Sequence, residues 1–325
     1  MPAIITDQIR VLNASNFVSG IGNASNSYYV FIGLPNATEK ASDWNTSTPS
    51  PIDNFDQHDD IYDTLISAKK INSSDVLRVV SKITWSSGTI YEMYRHDYSI
   101  NKLTPQTSAS NLYNSNYYVM NKDFRVYLCI SNGASPSNGG QGIVSLDEPI
   151  HTDLEPRLES DGYVWKYLYT IKPSDIVKFD SADFIPLPSD WATNTDVADV
   201  RNNAVDGKIE TVVIEDVCSA NYQFTGTKNN VPIRGDGSGA LASVTFIDGK
   251  PSSVQVTNGG SGYSFATLDL DSVVTGAGAS FSVIIPPSGG HGADVYRELG
   301  SNKVLIYSRI ENSDITNPDF PTGNQ

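Results

Sequence analysis

The chain has 325 residues, 39% hydrophobic and only 18% charged, a balance that can bury a real core and excludes wholesale disorder. With 37 acidic residues against 22 basic ones the net charge is −15, so the surface repels phosphate backbones and anionic bilayers, and neither nucleic acid nor membrane is an expected partner. The blander role of that acidity is solubility alone. The 17 Tyr, 25 Gly and 17 Pro suit short strands joined by tight turns and predict a mainly β chain. No apolar run approaches the ~20 residues that span a bilayer, and Met1–Asp7 lacks a basic flank, which predicts a cytoplasmically made protein. Cys129 and Cys218 stand far apart with no CxxC, as expected of two buried thiols.

In chain order, Thr6 and Asp7 can cap a short helix carrying Ile9, Leu12 and Phe17 on its inner side, ended by Gly20 and Gly22. Residues 28–34 read as a strand and 36–56 as a polar, Pro-rich surface loop. A second helix is predicted from Asp59 and Asp60, with Ile61, Leu65 and Ile66 facing inward and Lys69 and Lys70 at its C-terminus. Strands follow at 76–85, 89–98 and 116–130, then a Gly/Ser/Asn loop at 132–142. The clearest strand is 163–171, closed by Pro173, with a helical turn at 174–177. Polar stretches at 186–190 and 193–203 mark an expected boundary. Beyond it, Gly237–Val244 is echoed at Gly276–Val283, matching at 5 of 8 positions at an offset of 39. With turn glycines Gly237, Gly239, Gly259, Gly260, Gly262, Gly276 and Gly278, this predicts a small antiparallel β module.

No catalytic, cofactor or metal site is expected. The glycine run at 235–239 does not join a strand to a helix, and Gly259-Gly260-Ser261-Gly262-Tyr263 breaks the nucleophile-elbow pattern at its last place. The histidines are His58, His96, His151 and His291. Asp56, His58, Asp59, Asp60 and Asp63 suit an acidic helix start better than a metal site, because the candidate ligands are consecutive. Asp269 and Asp271 share a strand face and read as solvated.

Alternation along the clearest strand puts Tyr163, Trp165, Tyr167 and Tyr169 on one side, predicting a structural aromatic ladder that packs against a second sheet or a neighbouring subunit. Val164, Lys166, Leu168 and Thr170 take the other face, which Lys166 marks as partly wet. Of the competing readings, a platform for stacked bases lacks cationic support, and a platform for a glycan is the other alternative.

Ser160-Asp161-Gly162-Tyr163-Val164-Trp165-Lys166-Tyr167-Leu168-Tyr169, with Ile171, Pro173 and Asp175, resembles a segment of the gene-product-eight baseplate wedge proteins of T-even-type contractile phages. Trp85-Ser86-Ser87-Gly88-Thr89-Ile90-Tyr91 with Tyr94, then Val119, Asn121, Val126-Tyr127 and Cys129, are similar to the same family. So are Gly289-Gly290-His291-Gly292, Glu298-Leu299-Gly300 and the stretch at 319–324. The Gly-rich module departs from the family's archetype, and relatives run on into another strand where this chain ends. The resemblance implies two-layer antiparallel β-sandwich domains with a few flanking helices. It implies a non-enzymatic virion protein of the tail baseplate, a homodimer inside a hetero-oligomeric wedge with other wedge proteins as partners. The expected division is 1–80 for the N-terminal helix and strand part of the core domain, 81–195 for a β-sandwich domain with the strand at 163–171, 196–290 for the inserted module and 291–325 for the return to the core domain. The alternative is a carbohydrate-binding fibre or spike component, suggested by Tyr263 and Phe265 as aromatics exposed on a turn.

Overall fold

The structure, a computed structural model, describes residues 6–33, 65–98, 111–217 and 222–311. It is mainly β, with several antiparallel sheets and a few short helices. Helix α1 (Asp7–Gly22) starts where the Thr6 hydroxyl accepts the Ile9 N–H at 3.4 Å. The chain then forms β1 (Tyr28–Gly33), β2 (Leu65–Ile71), β3 (Val76–Ser81), β4 (Tyr118–Met120), β5 (Arg125–Ser131), β6 (Arg157–Leu158) and β7 (Val164–Thr170). Helix α2 (Pro173–Phe179), β8 (Phe184–Pro186) and α3 (Ala198–Asn203) complete this part. Next come β9 (Val212–Asp216), β10 (Gly226–Gly235), β11 (Ser238–Ile247), β12 (Lys250–Ser261), β13 (Ala266–Leu268) and β14 (Ser280–Val283). Helix α4 (Val295–Glu298) and β15 (Lys303–Ile306) return to the first part.

Two sheets build the first core: β4-β5-β7-β6, and β15-β3-β8, which joins segments more than two hundred residues apart. Their shared cluster is unusually rich in tyrosine and includes Tyr91, Tyr117, Tyr127, Trp165 and Trp191. Val197 and Val200 belong to it as well, whereas Ile209 belongs to the next core, so the change of core falls between these positions. The second part carries the four-stranded sheet β12-β11-β10-β13 and the pair β14-β9. Val212 and Val283 from the pair meet Ala240, Ala242 and Tyr263 in one cluster.

Three local expectations change. Residues 65–71 are a strand paired with β1, not the C-terminal half of a helix. Leu65 and Lys69 satisfy a period of four and a period of two equally, and pairing with the aromatic β1 selects the latter. Positions 56–64, including the acidic cluster around His58, lie outside the described residues. On α1 the buried stripe is Val11, Ala14 and Ile21, while Ile9, Leu12 and Phe17 are exposed. The helix offers two apolar stripes, and the one with small Ala14 at its centre can approach the sheet. Residues 89–98 form no strand, because this segment crosses the core with its backbone bonded at isolated points. Gly88 N–H donates to Ser145 O at 2.8 Å, Tyr91 N–H to the Tyr163 hydroxyl at 2.9 Å, and Tyr94 N–H to Cys129 O at 2.8 Å.

The two halves of the sequence echo join different sheets, and their backbones part at the first glycine, where Gly276 takes a φ of 145° and Gly237 keeps no positive φ. Gly239 and Gly278 both take positive φ, 85° and 111°, just before β11 and β14 gain their inward residues Ala242 and Val244, and Phe281 and Val283.

Candidate functional site

The Asp161-Gly162-Tyr163 corner is where separate stretches of chain are fastened together. Asp161 Oδ2 accepts the Leu146 N–H at 2.8 Å, the Asp147 N–H at 3.1 Å and the Ser145 hydroxyl at 3.2 Å, while Oδ1 takes the Tyr163 N–H at 3.0 Å. Burial raises the Asp161 pKa, but the N–H donors of Tyr163, Asp147 and Leu146 outweigh it, so the carboxyl ends below its ordinary range. Ser145 also accepts the Trp85 indole N–H at 3.1 Å. The Tyr163 hydroxyl donates to Ile143 O at 2.7 Å. Each of these polar groups is engaged by the fold.

The four aromatics at 163, 165, 167 and 169 do not share one face. Tyr163 and Trp165 stack in parallel at 5.3 Å, and both meet Tyr91 edge-on. Tyr167 packs on Tyr127, and Tyr169 on Trp191. The cause is a β-bulge: Tyr127 pairs with Tyr167 and Val126 with Tyr169, so Leu168 is an extra residue that inverts the side-chain parity after it. Tyr163, Trp165 and Tyr169 are fully buried and Tyr167 is half-buried. Nor is the second face wet. Lys166 is buried, its ammonium 3.4 Å from Glu210 Oε1 and 3.1 Å from Leu154 O, because β7 is an interior strand between β5 and β6.

Two buried histidines have no sequence pattern to announce them. His291 Nδ1 lies 2.5 Å from Glu298 Oε1, Gly292 N–H donates to Oε2 at 2.8 Å, and the Tyr94 ring stands perpendicular to the imidazole at 4.6 Å. Both ring nitrogens of His151 are buried without a hydrogen-bond partner, although Glu159 and Asp153 stand 3.8 and 4.0 Å away. Burial lowers the His151 pKa and keeps the imidazole neutral. Among the described residues no group of three or more His, Cys, Asp or Glu side chains is placed to hold a metal ion. Cys129 is a buried free thiol, while Cys218 lies outside the described residues.

In the second part, Tyr263 is only 4% exposed, and its hydroxyl donates to Ile233 O at 3.1 Å and accepts the Ala240 N–H at 3.2 Å. It is a core residue and not a turn aromatic, because Gly237 leaves room for its ring: a Cβ there would stand 2.5 Å from it. Phe265 is 62% exposed. Of the other glycines expected in turns, Gly259 abuts Ile209 O, Gly260 abuts Ser238 O and Gly276 abuts Tyr222, while Gly239, inside β11, and Gly262, just after β12, take positive φ with space around them.

A cleft of about 670 Å³ lies between the two parts, walled by the start of β7, by β9 and by the edge strand β12. Lys208 and Glu155, paired at 2.5 Å, stand on its rim, and Glu210 lies within. A smaller hollow of about 390 Å³ holds Arg95, His96, Asp294 and Arg297. Arg95 is bound to Asp97 and Glu215, His96 Nδ1 accepts the Ile285 N–H, and Asp294 caps α4. No helix among the described residues is long and apolar enough to cross a membrane. In comparison with known proteins, the chain matches no family model and no curated protein.

Proposed function

We propose that this chain is a structural subunit of the baseplate wedge of a contractile phage tail, present as a homodimer among other wedge proteins and acting by assembly instead of catalysis. The observation that supports this reading is the convergence of the family-like stretches. Trp85–Tyr94, Val119–Cys129, Ser160–Tyr169 and Gly289–Gly300 are scattered over more than two hundred positions. They nonetheless meet in a single core, through Tyr91 on Trp165, Cys129 opposite Trp165 and His291 on Tyr94. Such a meeting is what a shared core would leave, and these residues have packing roles; the further family-like stretch at 319–324 lies outside the described residues. The Gly-rich module is an addition to that core, in keeping with its separate clusters. Co-expression with the other tail proteins of the same phage, followed by co-purification and light scattering, tests the assignment. A stable complex with wedge proteins and a dimeric mass are expected. A monomer that captures no tail protein would overturn it.

A further inference from the structure

Strand edges are normally kept short or charged, because a long neutral one invites another chain to pair with it. Here β4, β6 and β13, each at a sheet edge, have only 3, 2 and 3 residues. Strand β12 is the exception: it lies at the edge of its sheet and runs for 12 residues. From Pro251 to Leu268 the sequence contains no charged residue, in a chain whose net charge is −15.

That edge forms a wall of the large cleft. All eight positions from Ser252 to Gly259 line the cavity. A strand that showed a face would contribute alternate residues, so an unbroken run means that it presents its edge. At one end Ile209 N–H donates to Gly259 O at 2.9 Å, and beyond that point no backbone hydrogen bond joins β12 to β9. The two strands stand adjacent but unzipped, and among the described residues the main-chain groups on the β12 side of the gap have no backbone partner.

The cleft also holds an unsatisfied acceptor. The side chain of Glu210 is only 7% exposed; Oε1 faces Lys166, and Oε2 is buried with no hydrogen-bond partner. A buried acceptor left without a donor is costly, so a ligand that brings a donor beside Glu210 is favoured over one that brings another acceptor. Lys208 already neutralises Glu155 at the rim. No aromatic ring lines the cavity for stacking on a sugar, and its length along β12, about 24 Å for seven steps of about 3.4 Å, suits a chain and not a compact metabolite.

We propose that this cleft is a strand-accepting groove: an extended segment of another polypeptide pairs with the free edge of β12. That segment carries no acidic side chain at its centre and places a Lys, Arg or hydroxyl donor beside the Glu210 carboxyl. The inference rests on the cleft alone and stands apart from the tail assignment.

The test uses the full chain and a yeast-displayed library of random ten-residue peptides, sorted for binding. Counter-sorting uses the double variant Gln255→Lys/Thr257→Lys, whose exposed positions put two charges on the edge strand without touching a core. Circular dichroism confirms that the variant is folded. The expected result is a set of peptides poor in Asp and Glu whose affinity falls about tenfold or more in the double variant, a difference of about 1.4 kcal/mol. Glu210→Gln should weaken only the peptides that carry a cation. Hydrogen exchange should show new protection of the amides between Ser252 and Asn258 when a selected peptide binds. Failure to enrich any peptide would overturn the proposal. So would peptides that bind the double variant equally well, or protection that appears elsewhere.

Discussion

Replacing Trp165 by Ala removes the centre of the first core. The side chain is 0% exposed, stacked on Tyr163 at 5.3 Å and met edge-on by Tyr91 at 5.8 Å. Burying 150–250 Å² at about 25 cal/mol per Å² corresponds to about 4–6 kcal/mol. One contribution opposes this, since the indole N–H is buried without an acceptor and its removal returns about 1 kcal/mol. The expected loss is therefore about 3–5 kcal/mol, the range found for large aromatics deleted from cores. Trp165→Phe keeps a ring against Tyr163 and discards the orphan N–H, so it should cost only about 1–2 kcal/mol. Tyr167→Ala, at a half-buried position, should fall well below Trp165→Ala. Urea unfolding of the three variants, followed by near-ultraviolet dichroism, measures these differences. The two cores need not unfold together, so the transition assigned to the first must be resolved before fitting. A loss below about 1 kcal/mol for Trp165→Ala would refute the packing assignment, since no core aromatic leaves so cheaply.

Lys166→Met should cost about 3–5 kcal/mol by stranding the Glu210 carboxylate, while Lys166→Met with Glu210→Leu should recover most of it, measured by the same unfolding. Gly260→Ala, at φ 59° with a Cβ 2.3 Å from Ser238 O, should destabilise the second part more than Gly239→Ala, at φ 85° with nothing nearer than 3.7 Å. The latter should cost about 1–2 kcal/mol from backbone strain alone. His151 has a folded pKa below its unfolded value of about 6.5, so the unfolded chain takes the proton first. Its contribution to stability is present above the unfolded value and is lost as the pH falls through the folded one. Unfolding measured on both sides of that window should show the loss, and His151→Gln should flatten it.

Much of this fold was legible wherever local chemistry decided the outcome. The Thr6 cap, the β1 strand and the Pro173 stop are written in a few neighbouring residues. What escaped depends on distant partners. Leu65–Ile71 pairs with β1 across residues 34–64, and no local pattern reports that pairing. The Leu168 bulge divides the four aromatics because β5 and β7 differ by one residue in register, a quantity that belongs to two strands and not to one. Lys166 looked solvent-facing because its partner, Glu210, lies forty-four positions away behind a change of core. The cleft was invisible for the same reason: the neutral run after Pro251 can be read directly, but that it forms an unpaired edge follows only from the sheet order.

The central claim is that the chain is built into a contractile tail. On the proposed reading a contractile-tailed phage encodes the chain, and an electron cryo-microscopy map of that phage's tail tests this directly, with the present fold docked as a rigid body. The account predicts density for both cores in copies related by rotation about the tail axis, within the baseplate, each touching another copy and a different wedge protein. A baseplate fully accounted for by other proteins, with this chain absent or found only at a fibre tip, would contradict it.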